Sequence, residues 1–194
     1  VVLLCSVPCF GNMGEKLASS PTVLFLNPGE PVDRGKGLFW PMTGRLMEVA
    51  ANTFGVQIEV LYAERDHLLM LRQAEEVSQR AELPDYIVMV NEKQAAAKML
   101  QMFKDTSTKV LLIHNDLTSE QRQELGNERE QIKNWIGTAK TDEPRSTFRM
   151  MEALYNKLGT GEPQVIGITG SRSTPVSTER AQGVTDFIAQ AGRG

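Results

Sequence analysis

The chain has 194 residues and a formal net charge of −3, with a pI near 5.5. That length suits one large or two small domains with a substantial core, and scattered Lys and Arg without a basic run argue against a general nucleic-acid binder. Two cysteines and two histidines do not make a structural zinc site, which needs about four such ligands at short spacing.

In chain order, residues 1–10 are nearly all apolar and hold both cysteines, Cys5 and Cys9; residues 11–20 are small and polar. The pattern predicts a leader remnant over residues 1–20, an apolar signal core followed by a small-residue cleavage region. It is too short to span a membrane, and a cleaved leader implies export. Val23-Leu24-Phe25-Leu26 then reads as a buried strand. Asn27-Pro28-Gly29 turns the chain, a polar loop follows, and Phe39-Trp40-Pro41 opens a helix. Leu38, Met42, Leu46, Val49, Ala50 and Phe54 recur at three- and four-residue steps, an amphipathic helix ended by Gly55.

Residues 56–62 alternate as a second strand, and residues 68–80 read as a second helix. Residues 86–90 form an apolar run suited to a strand buried on both faces. Ala96, Met99, Leu100 and Phe103 stripe a third helix, and residues 110–113 are a fourth strand. This alternation predicts right-handed crossovers and a parallel α/β sheet, Rossmann-like and sandwiched by helices. Residues 118–133 are rich in Glu, Gln and Arg, a solvated helix or a long loop. Phe148, Met151, Tyr155 and Leu158 stripe another helix, residues 159–163 turn, residues 165–168 read as a fifth strand, and Val184, Phe187, Ile188 and Ala191 mark a last helix.

Chemical motifs are sparse. There is no G-x-S-x-G elbow and no Walker lysine motif. Gly35-Lys36-Gly37 starts like a dinucleotide turn but lacks the third glycine. Gly170-Ser171-Arg172-Ser173 fits an anion cradle or a plain turn. His114, at the end of the fourth strand, fits a catalytic base or a satisfied structural histidine. The remaining signal is polar residues at strand ends: Asn27, Asn91-Glu92 and Asn115-Asp116. In a parallel sheet these share one rim, beside the aromatic pair Phe39-Trp40. Together they form a binding cleft without an evident reaction, and no metal or other cofactor is expected.

From about Thr22 onward the sequence resembles the type 1 periplasmic binding proteins, the sugar-binding proteins of ABC transporters that include the ribose receptor. It also resembles the related periplasmic quorum-signal receptors. In that family an aromatic pair after the first strand stacks on the sugar; Phe39-Trp40 match it. Asn91 matches the Asn after the third strand. Asn115-Asp116 stand where the family usually has Asp-Arg, and Thr141-Asp142-Glu143 stand in place of a Ser-Asp-Asn-like motif. Glu179-Arg180-Ala181-Gln182-Gly183-Val184 matches the Glu-Arg-x-x-Gly-Phe that opens a second-domain helix.

The resemblance implies a first α/β lobe over residues 21–137 and the beginning of a second over 138–194, the chain being a fragment. It implies Phe39, Trp40, Asn91, Asn115, Asp116, Asp142 and Arg180 as ligand contacts. It also implies a non-enzymatic protein, exported to the periplasm, that delivers a small polar ligand to an inner-membrane permease or a sensor kinase. Two rivals stand beside it. One is a Rossmann-like enzyme using His114 or Asp116. The other is a repressor effector domain of the same fold, which requires a preceding helix-turn-helix that residues 1–20 do not supply.

Overall fold

The computed structural model describes residues 20–34, 37–158, 164–170 and 174–192. The leader expected at the start of the chain, with Cys5 and Cys9, the Gly35-Lys36 pair, the turn expected over 159–163 and Ser171-Arg172-Ser173 lie outside the described residues.

Five strands form one parallel sheet: β1 (Thr22–Asn27), β2 (Gln57–Tyr62), β3 (Tyr86–Met89), β4 (Lys109–His114) and β5 (Trp135–Lys140). Their spatial order is β2-β1-β3-β4-β5, all neighbours parallel. Helices α1 (Phe39–Phe54), α2 (His67–Ser78), α3 (Ala96–Phe103) and α4 (Ser119–Leu125) connect them. Helices α5 (Glu143–Leu158) and α6 (Pro175–Ala191) follow β5. The strand order reverses between β1 and β3, so the crevice at their C-terminal ends is where such sheets place ligands.

The central strands are apolar because both faces are covered. Leu24, Phe25, Leu26, Ile87, Met89, Val110 and Leu112 are fully buried, each contributing about 1.5–3 kcal/mol relative to exposure. Local signals set the helix ends. Asp66 caps α2 by accepting from the Leu68 N–H at 2.8 Å. Thr118 and Gln121 form a reciprocal capping box on α4, and Gly55 ends α1 in the left-handed region.

Two expectations need correction. The apolar stripe of α1 does not face the sheet: Leu46 is 64% exposed, Val49 51% and Phe54 79%. The helix buries Pro41, Gly44 and Ala51 instead, because small residues let it approach closely; a Cβ on Gly44 would stand 2.6 Å from the Tyr62 hydroxyl. Periodicity shows that a helix is two-faced but not which neighbour covers a face. Second, residues 165–168 form no strand. Ile166 and Ile168 are 91% and 96% exposed, and a strand requires a hydrogen-bonded neighbour, which no strand among the described residues supplies. The fifth strand is Trp135–Lys140, the less apolar segment, fixed at the sheet edge against β4.

One ion-pair network anchors the β4–β5 side. The Arg122 guanidinium donates to Asp116 at 2.6 Å and to Glu128 at 2.8 and 2.9 Å, and lies 4.6 Å over the ring of buried Trp135. Arg122, by its hydrogen bonds, holds the Glu128 carboxyl down to about 2 from an ordinary 4.5. A lowered carboxylate contributes stability above its unfolded pKa, lost as pH falls through the folded one. Screening at this partly exposed site leaves about 1–2 kcal/mol. Urea unfolding of the parent and of Glu128→Gln should therefore differ by that amount at pH 6. The gap should narrow from pH 4.5 toward 2; a gap unchanged at acid pH would contradict it.

Candidate functional site

The C-terminal rim carries a concentration of strained backbone. Six non-glycine residues have positive φ among the described residues, and five follow β2 or β3 or end β4: Glu64, Arg65, Lys93, Gln94 and His114. Left-handed backbone costs on the order of 1–2 kcal/mol at such positions, so the surrounding contacts must hold it.

Asn27 builds the first part of the rim. Fully buried at the end of β1, it accepts from the Gly29 N–H at 2.9 Å and donates to the Trp40 carbonyl at 3.0 Å. The first turn of α1 is thereby tied to the sheet. Gly29 lies so close to Trp40 that an added Cβ would stand 2.1 Å from the Trp40 Cβ. The result is a cavity of about 310 Å³ walled by Gly29, Glu30, Phe39, Trp40, Pro41 and Arg65. Its size is at the lower end of small-molecule sites. Arg65 follows β2 and pairs with Glu92 at 3.4 Å.

Phe39 and Trp40 meet edge-to-face at 4.8 Å, and His114 lies against both rings, at 5.0 and 5.3 Å between centroids. Burial pushes the His114 imidazole below its ordinary value; nearby Glu143 opposes this, Arg180 adds to it and Glu92 opposes it. This histidine was legible only as a lone residue at a strand end; its place in the aromatic wall comes from α1 folding back.

Asn91 and Asn115 interlock. The Asn91 N–H donates to Asn115 Oδ1 at 2.8 Å, and Asn115 Nδ2 returns to the Asn91 carbonyl at 3.1 Å. Asn91 Nδ2 donates to the Asp116 carbonyl at 2.9 Å and to Gln121 Oε1 at 2.8 Å, while its Oδ1 accepts from the Ala96 N–H at 3.1 Å. Both side chains are buried, and those of Asn91 are fully engaged within the protein. Asp116 faces Arg122 and its own next N–H, on the network beneath Trp135.

Past β5, Asp142 is exposed and caps α5, accepting from the Arg145 N–H at 3.2 Å. Its neighbour Glu143, which the sequence did not single out, is buried. Glu143 accepts from Arg180 at 2.6 and 3.3 Å and from the Thr141 hydroxyl. That pairing holds the Glu143 carboxyl below the usual range and raises Arg180. Arg180 itself is 56% exposed at its side chain. The structure thus joins Phe39 to Trp40 around His114, joins Asn91 to Asn115 and Asp116, and sets Asp142 and Arg180 on the adjoining α5–α6 pair. No group of three or more His, Cys, Asp or Glu among the described residues could hold a metal ion. No helix there is long and apolar enough to cross a membrane.

No protein-family model matches the chain, and no curated protein matches it. Solved structures do. A periplasmic sugar-binding protein from Pseudomonas fluorescens is 32% identical over 87% of this chain and 48% of its own, with a TM-score of 0.69. A periplasmic solute-binding protein of an ABC transporter from Actinobacillus succinogenes, with bound D-allose, is 13% identical over 88% of this chain and 55% of its own, at 0.72. A Caulobacter myo-inositol binding protein is 17% identical over 90% and 52%, at 0.66. The chain spans about half the length of these structures. Its neighbours are sugar-binding periplasmic proteins of ABC transporters with the type 1 periplasmic binding protein fold, the family that its motifs resemble.

Proposed function

We propose that this is an exported, periplasmic solute-binding protein that captures a sugar or similar small polar ligand between two lobes. It hands the ligand to an ABC permease or a sensor kinase and catalyses no reaction. The observation that carries this reading is the Phe39–Trp40 pair, tied by Asn27 to the rim at the sheet's switch point and walling a cavity of about 310 Å³. Aromatic faces accept the C–H faces of a sugar while polar neighbours take its hydroxyls. The neighbours that bind sugars and cyclitols support it. In this reading residues 21–137 are the first lobe and 138–194 open the second. Asn91 and Asn115 hold the rim in shape, and Arg180 reaches the ligand from the second side. Closure then follows from contacts made to both lobes, which favour the closed state only by their differential binding energy. The enzyme alternative would use His114, whose ring packs on Phe39 and Trp40, or Asp116, whose carboxylate is engaged by Arg122.

A thermal-shift screen of the full-length protein against neutral hexoses, pentoses and cyclitols tests this reading. At least one should raise the melting temperature in a saturable way; a flat response to the whole panel contradicts it. Arg180→Lys should then weaken binding of that hit by about 1 kcal/mol or more, roughly 5-fold. Lys does not reproduce the planar donor fork that Glu143 positions. Unchanged affinity in calorimetry, with folding intact, would make Arg180 a helix-start residue only.

A further inference from the structure

The cavity of about 310 Å³ stands to one side of the rim. Gly29, Glu30, Phe39, Trp40, Pro41 and Arg65 wall it, while Asn91, Asn115 and His114 do not. The strand order β2-β1-β3-β4-β5 explains the offset. The aromatic pair follows β1, so β2 and Arg65 lie on one flank of it and β4 and His114 on the other. The pair therefore faces two spaces, the cavity over β1 and β2 and the crevice over β1 and β3. The outer wall of the cavity is strained. Glu64 and Arg65 are consecutive non-glycine residues in the left-handed region, at φ 50° and 63°, which the exit from a strand does not require. Three main-chain bonds hold them to the turn after β1: Ala63 N–H to the Asn27 carbonyl, Glu64 to Gly29 and Arg65 to Pro28, each at 2.8 Å. Arg34 adds an ion pair to Glu64 at 3.5 Å. The Arg65 guanidinium reaches across β1 to Glu92, buried after β3, at 3.4 Å. That is its one partner among the described residues, and its side chain is 53% exposed. A guanidinium has five N–H donors, so several remain for the cavity.

We propose that this cavity is an outer subsite for the second ring of a neutral disaccharide or glycoside, with the first ring over the switch point between β1 and β3. Trp40 stands between the two places, and Arg65 donates to hydroxyls of the outer ring. The proposal rests on the reading of this cleft as a sugar site. The cavity is at the lower end of small-molecule sites, with room for about one sugar ring. A ligand that fills both spaces along one aromatic wall therefore has two rings. The chemistry selects a neutral outer ring. Glu92 already balances Arg65, and Glu30 lines the same cavity, so no uncompensated positive charge is offered to an anion. Donors beside an aromatic face suit hydroxyls and C–H faces together.

The test is calorimetry of the full-length protein with D-galactose, D-glucose, lactose, melibiose, maltose and D-galacturonate as probes, on the parent and on Arg65→Asn. Asn tolerates positive φ and carries no guanidinium, so the variant keeps the turn. At least one disaccharide should bind the parent at least about 10-fold more tightly than either of its component rings, and Arg65→Asn should bring those affinities within about 2-fold of each other. Disaccharides that bind no tighter than their component rings, or a preference that Arg65→Asn keeps, overturn the inference and leave the sugar cleft standing. D-Galacturonate bound more tightly than D-galactose puts an anion on Arg65 and overturns the neutral class. A parent that binds none of the probes overturns the cleft reading and this inference with it. Hydrogen exchange of the parent guards against a variant that misfolds. The tightest disaccharide should slow exchange over residues 28–34 and 63–65, and its component rings at equal occupancy should not; equal protection overturns the outer subsite.

Discussion

Asn91→Ala should lower the unfolding free energy by about 3–4 kcal/mol, a large fraction of what an ordinary domain possesses. The side chain makes three hydrogen bonds, to the Asp116 carbonyl, to Gln121 and from the Ala96 N–H. It sits where water does not reach. Each net bond is worth about 1 kcal/mol, and stranding the Ala96 donor and the Asp116 acceptor adds roughly 1 kcal/mol or more apiece. Asn91→Asp should do no better, because a carboxylate oxygen would face the Asp116 carbonyl and the Gln121 oxygen in place of a donor. The Asn115 side chain bonds the main-chain N–H and carbonyl of residue 91, which alanine keeps, so the loss falls on the Asp116, Gln121 and Ala96 partners. Urea unfolding gives the number. A loss under about 1 kcal/mol would mean that water or a neighbour replaces these bonds readily.

Gly183→Ala should separate α5 from α6 and cost about 2–3 kcal/mol even after the gain of roughly 1 kcal/mol that Ala brings to a helix interior. An added Cβ would lie 2.2 Å from the Pro144 carbonyl oxygen and 3.0 Å from the Thr147 Cβ. The first of these is backbone and cannot swing aside. The two helices pack chiefly on each other, with Phe187 against Phe148 and Tyr155 at 5.4 and 5.8 Å between ring centroids. A wedge at their crossing therefore opens the pair rather than the sheet. Hydrogen exchange should show α5 and α6 losing protection while β1, β3 and β4 keep theirs. The shift should also pull Arg180 off Glu143, since both flank the crossing. Protection unchanged in α5 and α6 would show that the crossing tolerates the methyl group.

Much of the fold was legible because the physics is local. Four strands were readable as apolar or alternating runs, and the helices between them as stripes with clear ends such as Gly55. The parallel arrangement followed from the alternation itself. What escaped depends on neighbours. Residues 165–168 have the composition of a buried strand, yet composition does not supply a pairing partner. Trp135–Lys140 has small and polar residues, yet β4 offers it a free edge. In α1 the buried residues are Pro41, Gly44 and Ala51, which no hydrophobic count would rank above Leu46 or Phe54, while Trp40 and Met47 pack against the core from the same helix.

The site shows the same division. Asn27, Asn91 and Asn115 were placed on one rim by their positions at strand ends, and they are there. That Asn91 and Asn115 bind each other was not readable, because hydrogen-bond partners 24 residues apart are set by strand order. His114 and Glu143 each stand one residue from a residue that the motifs singled out, Asn115 and Asp142. A one-residue step at a strand end or helix start changes which way a side chain points, and here the strained turn at His114 and the capping role of Asp142 decide it. The glycine of the Glu179–Gly183 motif was legible as a match, and its reason is the close approach of Pro144.

The central claim is that the Phe39–Trp40 wall exists to hold a ligand rather than to fill the core. The direct measurement compares Trp40→Ala with the parent in two readings, calorimetric affinity for the sugar found by the thermal-shift screen and urea unfolding. A stacked ring contributes about 1–3 kcal/mol to binding, so the variant should bind roughly 5- to 150-fold more weakly, with a smaller change in stability. Affinity within 2-fold of the parent, together with a loss of about 3–5 kcal/mol of stability of the kind a core cavity produces, would contradict it.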